Sequence, residues 1–408
     1  MKSLKELYRI GNGPSSSHTM GPKKAAELFL ERNRNATRFV VTLYGSLAAT
    51  GKGHLTDEAI LNVLTPFAET TIEWMPKTFL PFHPNAMKCE SFSKEGKVME
   101  SWTVYSVGGG ALSDGLNTIG VSEEEKEDPY PDTNLASIQE WCEKNGRSYW
   151  EYVEIHEGPE IWDYLRKVWN VMKSSVERGL ENEGVLPGPL NLPRKAASYF
   201  IKSKGQTSTL KSRGKVFAYA LAVSEENAAG GEIVTAPTCG SCGVLPAVLY
   251  HLAESREFIE MRILRALATA GLFGNIVKRN ASISGAEVGC QGEIGVACSM
   301  AAAAASQLFG GSVAQIEYAA EMGLEHHLGM TCDPVCGLVQ IPCIERNAIA
   351  AARALDANLY SSFTDGTHRI SFDHVVEVMK QTGHDLPSLY KETSEGGLAK
   401  KYITMPDK

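Results

Sequence analysis

Asn280-Ala-Ser-Ile-Ser-Gly-Ala-Glu-Val-Gly-Cys290-Gln-Gly-Glu293 opens the decisive stretch. After an alanine-rich run it closes as Glu325-His326-His327-Leu-Gly-Met-Thr-Cys332-Asp-Pro-Val-Cys336-Gly-Leu-Val-Gln-Ile-Pro-Cys343-Ile-Glu-Arg346. Five of the nine cysteines lie between these ends, among glycines and small residues and with little charge nearby. Thiols gathered in a poorly solvated place suit an iron–sulfur cluster, because soft sulfur ligands favour iron and burial shields it. Ordinary buried cysteine is the competing reading for any one of them. As a group, with prolines and glycines beside them, they read as ligands. Gly289, Gly292 and Gly295 recur on one candidate helix, where glycine lowers propensity, so another backbone or a cluster is expected to approach closely.

Around this stretch the chain has helical rhythm. Residues 160–183 keep a 3.6-residue apolar spacing, and 211–229, 244–254, 257–275, 285–309, 312–324, 343–356 and 372–382 are further helices by the same criterion. Upstream the pattern changes. Residues 37–44 are β-branched and aromatic and read as a buried strand. Thr56 caps a helix to about residue 68, and 81–120 alternates in strand fashion around a Gly96 hairpin. Ser122–Pro131 is acidic and proline-bounded, a solvated loop or linker. The fold expected is an α+β N-terminal domain over 1–155, followed by a large all-α catalytic domain over 156–408.

The chain has 408 residues, enough for a substantial core, and a net charge of −8, which offers no basic field to nucleic acid or anionic membrane. Lys2, Lys5 and Glu6 break any secretory apolar region, and the most apolar run, 296–309, is too short to span a bilayer. Nine cysteines without a leader argue against a disulfide framework and for a reducing cytoplasm.

Two loops carry the remaining chemistry. Gly11-Asn-Gly-Pro-Ser-Ser16-Ser17-His18-Thr19-Met-Gly-Pro22 precedes a helix whose first turn takes Pro22. Its hydroxyls and amides could cradle an anion, or could simply cap the helix. Thr235-Ala-Pro-Thr238-Cys239-Gly-Ser241-Cys242-Gly-Val-Leu-Pro246 offers three hydroxyls before another helix. With the free N–H groups of that helix they offer an anion site, while Cys239-x-x-Cys242 alternatively reads as a redox or zinc half-site, though no second pair stands at zinc-like spacing.

These motifs resemble the bacterial iron–sulfur L-serine dehydratases in single-chain form, over nearly the whole chain. Ser-Gly-Ala-Glu-Val-Gly-Cys290, Thr-Cys332-Asp-Pro and Pro-Cys343-Ile-Glu-Arg-Asn match the family's cluster contexts, 42 and 11 residues apart. The resemblance implies a [4Fe-4S] cluster on Cys290, Cys332 and Cys343, acting as a Lewis acid in β-elimination of water from L-serine to give pyruvate and ammonia. It further implies that Ser16, Ser17 and Thr19, with Thr235, Thr238 and Ser241, bind the substrate, and that His18 is the base. His326, His327 and His368 are placed in packing or supporting roles, Cys239 and Cys242 are incidental, and a homodimer is expected. Two departures stand out. Cys336 replaces a family glycine, which leaves Cys332-x3-Cys336-x6-Cys343 as a rival ligand set. No cysteine follows Cys343, so three thiolates leave one iron open. A pyridoxal-phosphate dehydratase built on Lys211-Ser-Arg-Gly214, and a non-enzymatic cluster sensor, are the alternatives.

Overall fold

The computed structural model describes residues 1–119 and 128–403. Most of the acidic loop expected at 122–131, and the end of the tail, lie outside the described residues. The strands, in chain order, are β1 (Ile10–Asn12), β2 (Arg38–Tyr44), β3 (Glu69–Met75), β4 (Asn85–Phe92), β5 (Val98–Ser106), β6 (Leu112–Ser113), β7 (Thr118–Ile119) and β8 (Glu232–Val234).

Alternation in β2 puts Phe39, Val41 and Leu43 on one wholly buried face. Strand β2 pairs antiparallel with β4, with Val41 opposite Cys89, and parallel with β3, which the helix Thr56–Leu64 connects to it. The β4–β5 hairpin turns at Gly96, whose φ of +74° favours glycine. The resulting sheet runs β3-β2-β4-β5-β6-β7. Its buried face, with Ala25, Ala26 and Phe29 of the helix Gly21–Arg32 and Ile60 and Leu64 of the next, makes one hydrophobic core. Cys89 sits inside it, its thiol pushed up to about 12 by burial.

The second core is helical and much larger. The helix Ile161–Glu181 buries Leu165, Val168, Trp169, Met172 and Val176, the stripe that its spacing predicted. Around the helix Ile294–Leu308, whose alanines are all fully buried, pack Glu260–Asn280, Val313–Glu325 and Cys343–Ser362. Small side chains let these backbones come close. Three helices absent from the periodicity reading, Leu135–Asn145, Tyr149–Glu157 and Ala196–Lys204, complete this layer.

The chain start joins the helical core rather than the sheet. Met1, Leu4, Leu7 and Tyr8 are buried with it, the terminal ammonium donates to the Tyr130 carbonyl at 2.8 Å, and β1 pairs antiparallel with β8. The chain then crosses to the α+β unit at residues 13–20, so the Ser-Ser-Ser-His-Thr loop bridges the two cores. The expected single helix 285–309 is interrupted. Gly289 takes φ +75° between the short helix Gly285–Val288 and a 3₁₀ turn at Cys290–Gly292. A Cβ on Gly289 would lie 2.5 Å from the Met330 carbonyl oxygen, and one on Gly295 2.9 Å from the His327 Cβ, so both positions are close approaches. Cys298 therefore does not share a continuous helix with Cys290.

Candidate active site between the two cores

Ser15 nucleates the histidine loop. Its hydroxyl accepts from the His18 amide at 3.1 Å, and its carbonyl accepts from the Thr19 and Met20 amides. The amides of His18, Thr19 and Met20 are thus consumed inside the turn. The turn drives the His18 side chain inward, where it is fully buried. Ser17 Oγ lies 2.9 Å from His18 Nδ1, Ser46 Oγ 3.3 Å from Nε2, and Glu392 Oε1 3.5 Å from Nδ1. Burial, with a smaller contribution from His83, pushes His18 down to about 4, so the ring is neutral.

A second histidine stands beside it. His54 has its ring centroid 4.5 Å from that of His18 and is likewise pushed down, first by burial and then by His18. Thr50 Oγ1 holds its Nδ1 at 3.1 Å and Thr19 Oγ1 donates to its carbonyl at 2.6 Å. Its Nε2 has no hydrogen-bond partner among the described residues. Donor atoms of His18, His54 and Glu392 all lie within 4.8 Å of one another.

Glu392 ties this cluster to the thiols. Its amide donates to the Cys332 carbonyl at 2.8 Å, the Cys332 amide donates to the Tyr390 carbonyl at 2.8 Å, and Ser46 Oγ donates to the Glu392 carbonyl at 2.9 Å. The late segment thus stitches residue 332 to the loop after β2. Donor atoms of Cys290, Glu293 and Cys332 lie within 4.8 Å of one another. A hydrogen bond from Cys332, and then the Arg346 guanidinium, hold the Cys290 thiol down at about 6. That same pairing with Cys290, with burial, pushes Cys332 up, and burial followed by the Cys290 charge pushes Cys343 up. Cys343 is the first residue of the helix Cys343–Ser362, where the helix dipole favours a thiolate. Arg346 is anchored by the Thr331 carbonyl at 2.8 Å and by Asp333 at 3.6 Å.

This donor set suits a cluster. Three thiols converge beside one cation, and Gly285 keeps the space next to them clear: a Cβ there would lie 3.1 Å from Cys332 Sγ. Cys336 is placed elsewhere, exposed in a turn at φ +56°.

The remaining expected residues divide by location. Thr238 donates to Glu293 at 2.6 Å and meets Ser241 Oγ at 3.2 Å, beside the thiols. Burial, then Cys290, pushes Glu293 up to about 8. Ser16 bonds the buried Cys239 thiol. Thr235 is engaged away from these groups: it donates to the Leu7 carbonyl at 2.6 Å and accepts from the Arg9 amide at 2.8 Å, holding the chain start to the helical core. His327 bonds the Gly323 carbonyl at 2.7 Å and packs on Gly295, His326 is exposed, and His368 stacks on Tyr318 and pairs with Glu317 at 2.9 Å.

The sequence reading missed His54, Glu293, Glu392 and Arg346, and also a row of unsatisfied polar groups. His83 Nδ1 accepts from the Asn85 amide at 3.1 Å, and its Nε2 lies 3.6 Å from Glu287 without a hydrogen bond. Both ends of the fully buried Asn85 side chain, Ser106 Oγ and Ser284 Oγ have no partner among the described residues. Ser106 abuts Gly21 inside the α+β unit, and Ser284 of the helical unit abuts Gly108 across the seam between the cores. Unpaired groups so deeply buried call for a polar guest. His83, Asn85 and Ser106 lie in the 81–120 stretch, whose strand-like alternation gave no sign of an unpaired polar group.

Comparison with known proteins supplies the family. The model described as serine dehydratase alpha chain matches residues 80–399, and that described as serine dehydratase beta chain matches residues 3–74. L-serine dehydratase 2 of Escherichia coli K12 is 42% identical, with 99% of each chain covered. L-serine dehydratase of Haemophilus influenzae Rd is 39% identical over 99% of this chain and all of the relative, and that of Streptomyces coelicolor 41% over 98% and 99%. No helix among the described residues is long and apolar enough to cross a membrane. The thiol triad, the buried histidine pair and these matches over the whole length place the chain in the serine dehydratase family.

Proposed function

We propose that this chain eliminates water from L-serine, yielding pyruvate and ammonia. The observation that carries this reading is the meeting of a neutral histidine pair and a three-thiol site across Glu392, in a buried place with unfilled polar groups. A [4Fe-4S] cluster held by Cys290, Cys332 and Cys343 would supply a Lewis acid for the departing hydroxyl. The chain's own residues do the rest.

An α-proton needs a base with a free lone pair. Both ring nitrogens of His18 already face protein partners, whereas His54 presents Nε2 unencumbered. His54 therefore takes the proton, and His18, 4.5 Å away and held by Ser17 and Ser46, fixes its orientation and shares the charge that forms. Both rings start neutral because burial disfavours the charged form, so the pair is ready at neutral pH. Asn85 and the Ser106 and Ser284 hydroxyls receive the carboxylate and amino groups of serine. Thr238 and Ser241 orient Glu293 beside the thiols.

Lys211, the lysine a pyridoxal-phosphate mechanism would use, is exposed on the helix Ser208–Ala228 and touches none of these groups. The assembly proposed is a homodimer, because the helix Cys343–Ser362 leaves Ile349, Leu359 and Tyr360, and the adjoining Phe363, exposed. Its proposed compartment is the cytoplasm, where nine unpaired cysteines stay reduced. Anaerobic incubation of iron-reconstituted protein with L-serine, with pyruvate and ammonia quantified, is the test. Absence of both products in protein with full iron occupancy refutes the proposal.

A further inference from the structure

Cys336 is the one cysteine that the reaction leaves unused and the fold leaves exposed. It lines a cavity of about 220 Å³ together with Pro14, Lys52, Gly53, Pro187 and Gln340. Three walls matter here. Pro14 precedes the His18 loop, Lys52 and Gly53 precede His54, and Cys336 and Gln340 lie between Cys332 and Cys343.

The walls are in tight contact. A Cβ on Gly53 would lie 2.5 Å from the Gly337 carbonyl oxygen and 2.8 Å from that of Cys336, and one on Gly337 3.4 Å from Thr50. Thr50 is the residue that holds His54 Nδ1. One wall also carries an unmet acceptor: Gln340 is 3% exposed, its Nε2 donates to the Pro187 carbonyl at 2.7 Å, and its Oε1 has no partner among the described residues. Lys52 lies 5.7 Å over the Trp74 ring and has no carboxylate partner among the described residues.

We propose that Cys336 is a thiol–disulfide exchange site for a small amino-acid disulfide of the cystine class, and that the mixed disulfide holds the His54 loop away from its working position. The Cys336 thiol gives its proton to solvent and its sulfur attacks one sulfur of cystine. The cystine S–S bond breaks, a Cys336–cysteinyl S–S bond forms, and the departing cysteine thiolate takes up a proton. No oxidant beyond the disulfide is needed. The retained half-cystine places its carboxylate at Lys52 and its ammonium at Gln340 Oε1, the acceptor now unmet. The space suits one amino-acid-sized group and is too small for a tripeptide. A cysteinyl group filling this cavity wedges between the Cys336 turn and the Lys52–Gly53 wall, which touch at Gly53 and Gly337, and so presses on the loop that carries His54. A displacement near 1 Å at a catalytic group lowers turnover by about 10²-fold.

The effect on turnover rests on serine dehydration being the reaction; the position and rate of modification do not. The experiment treats anaerobic, iron-loaded protein with cystine, hydroxyethyl disulfide or glutathione disulfide, and follows intact mass, peptide mapping and pyruvate release. A single cysteinyl group on Cys336, turnover lower by about 10²-fold and recovery with dithiothreitol are expected. Lys52→Ala should slow reaction with cystine but not with hydroxyethyl disulfide. Cys336→Gly, compatible with φ +56°, should keep full turnover and ignore cystine. Modification at another cysteine, a Cys336 adduct with undiminished turnover, equal slowing by both disulfides in Lys52→Ala, or glutathione disulfide reacting as fast as cystine would each overturn the proposal.

Discussion

Burial of His18 makes a prediction that separates this site from an ordinary surface histidine. The folded ring titrates at about 4 against 6.5 when free, first because it is desolvated and then because His83 lies nearby. Its folded pKa is depressed, so between these values the unfolded chain holds a proton that the folded chain does not. Stability is therefore full above pH 6.5 and is lost as the pH falls. At ~1.4 kcal/mol per pH unit, the deficit from this one ring is about 2 kcal/mol at pH 5 and about 3 kcal/mol near pH 4. Replacement by glutamine keeps a donor and an acceptor for Ser17 and Ser46 but removes the titration. Denaturant unfolding of wild type and His18→Gln at pH 8 and pH 5 is the assay. The wild type should lose about 2 kcal/mol more than the variant over that interval, whatever their difference at pH 8. Parallel losses would mean that His18 is hydrated in solution, and the neutral-base argument would fail with it. The same cause predicts an acid limb of turnover below pH 6.5 rather than above it.

Other consequences can be checked directly. Cys290→Ser, Cys332→Ser and Cys343→Ser should each abolish iron incorporation, while Cys336→Ser keeps it; iron counting after anaerobic reconstitution decides, and loss in Cys336→Ser with retention in Cys290→Ser would make the rival set correct. His54→Ala should cost 10²- to 10⁴-fold in turnover (on the order expected for a lost general base) with iron content unchanged. A smaller loss than in His18→Ala would move the base to His18. Gly285→Ala puts a Cβ 3.1 Å from Cys332 Sγ and 2.8 Å from Glu293 Oε2, so iron binding should fall while circular dichroism is retained. Removing residues 404–408 should leave serine affinity nearly unchanged and produce no lag. Truncation before Tyr390 removes the strap on Cys332 and should abolish iron binding.

How far the chain was legible depends on how local each signal is. The helix Ile161–Glu181 was readable because one apolar stripe faces one core. Strand β3 was not, because it is an edge strand with intermediate and exposed residues alternating, so Glu-Thr-Thr-Ile-Glu-Trp-Met shows no buried run. The three-residue strands β1 and β8 are too short to show a period, and they find each other across more than two hundred residues of chain. Local sequence could not announce that Met1, Leu4 and Leu7 fill the helical core.

The site divides along the same line. Cysteines declare themselves by type and neighbours, so the cluster of thiols between residues 290 and 343 was legible before any fold was known, while the preference for Cys290 over Cys336 came from the family resemblance. A buried histidine or glutamate declares nothing until its partners are in place. His54 became a base candidate only because Thr50 occupies one ring nitrogen and leaves the other free. Thr235, chemically as suitable as Thr238, has its hydroxyl between Leu7 and Arg9 instead. Glu392 sits 346 residues from Ser46, yet its carbonyl receives that hydroxyl and its amide holds Cys332. With a φ of +57°, a conformation disfavoured outside glycine, residue 392 makes both contacts from one position. A backbone held in such a conformation by a serine on one side and a thiol-bearing loop on the other links the two cores through one residue, so a shift of Ser46 or of the Cys332 loop is met at Glu392.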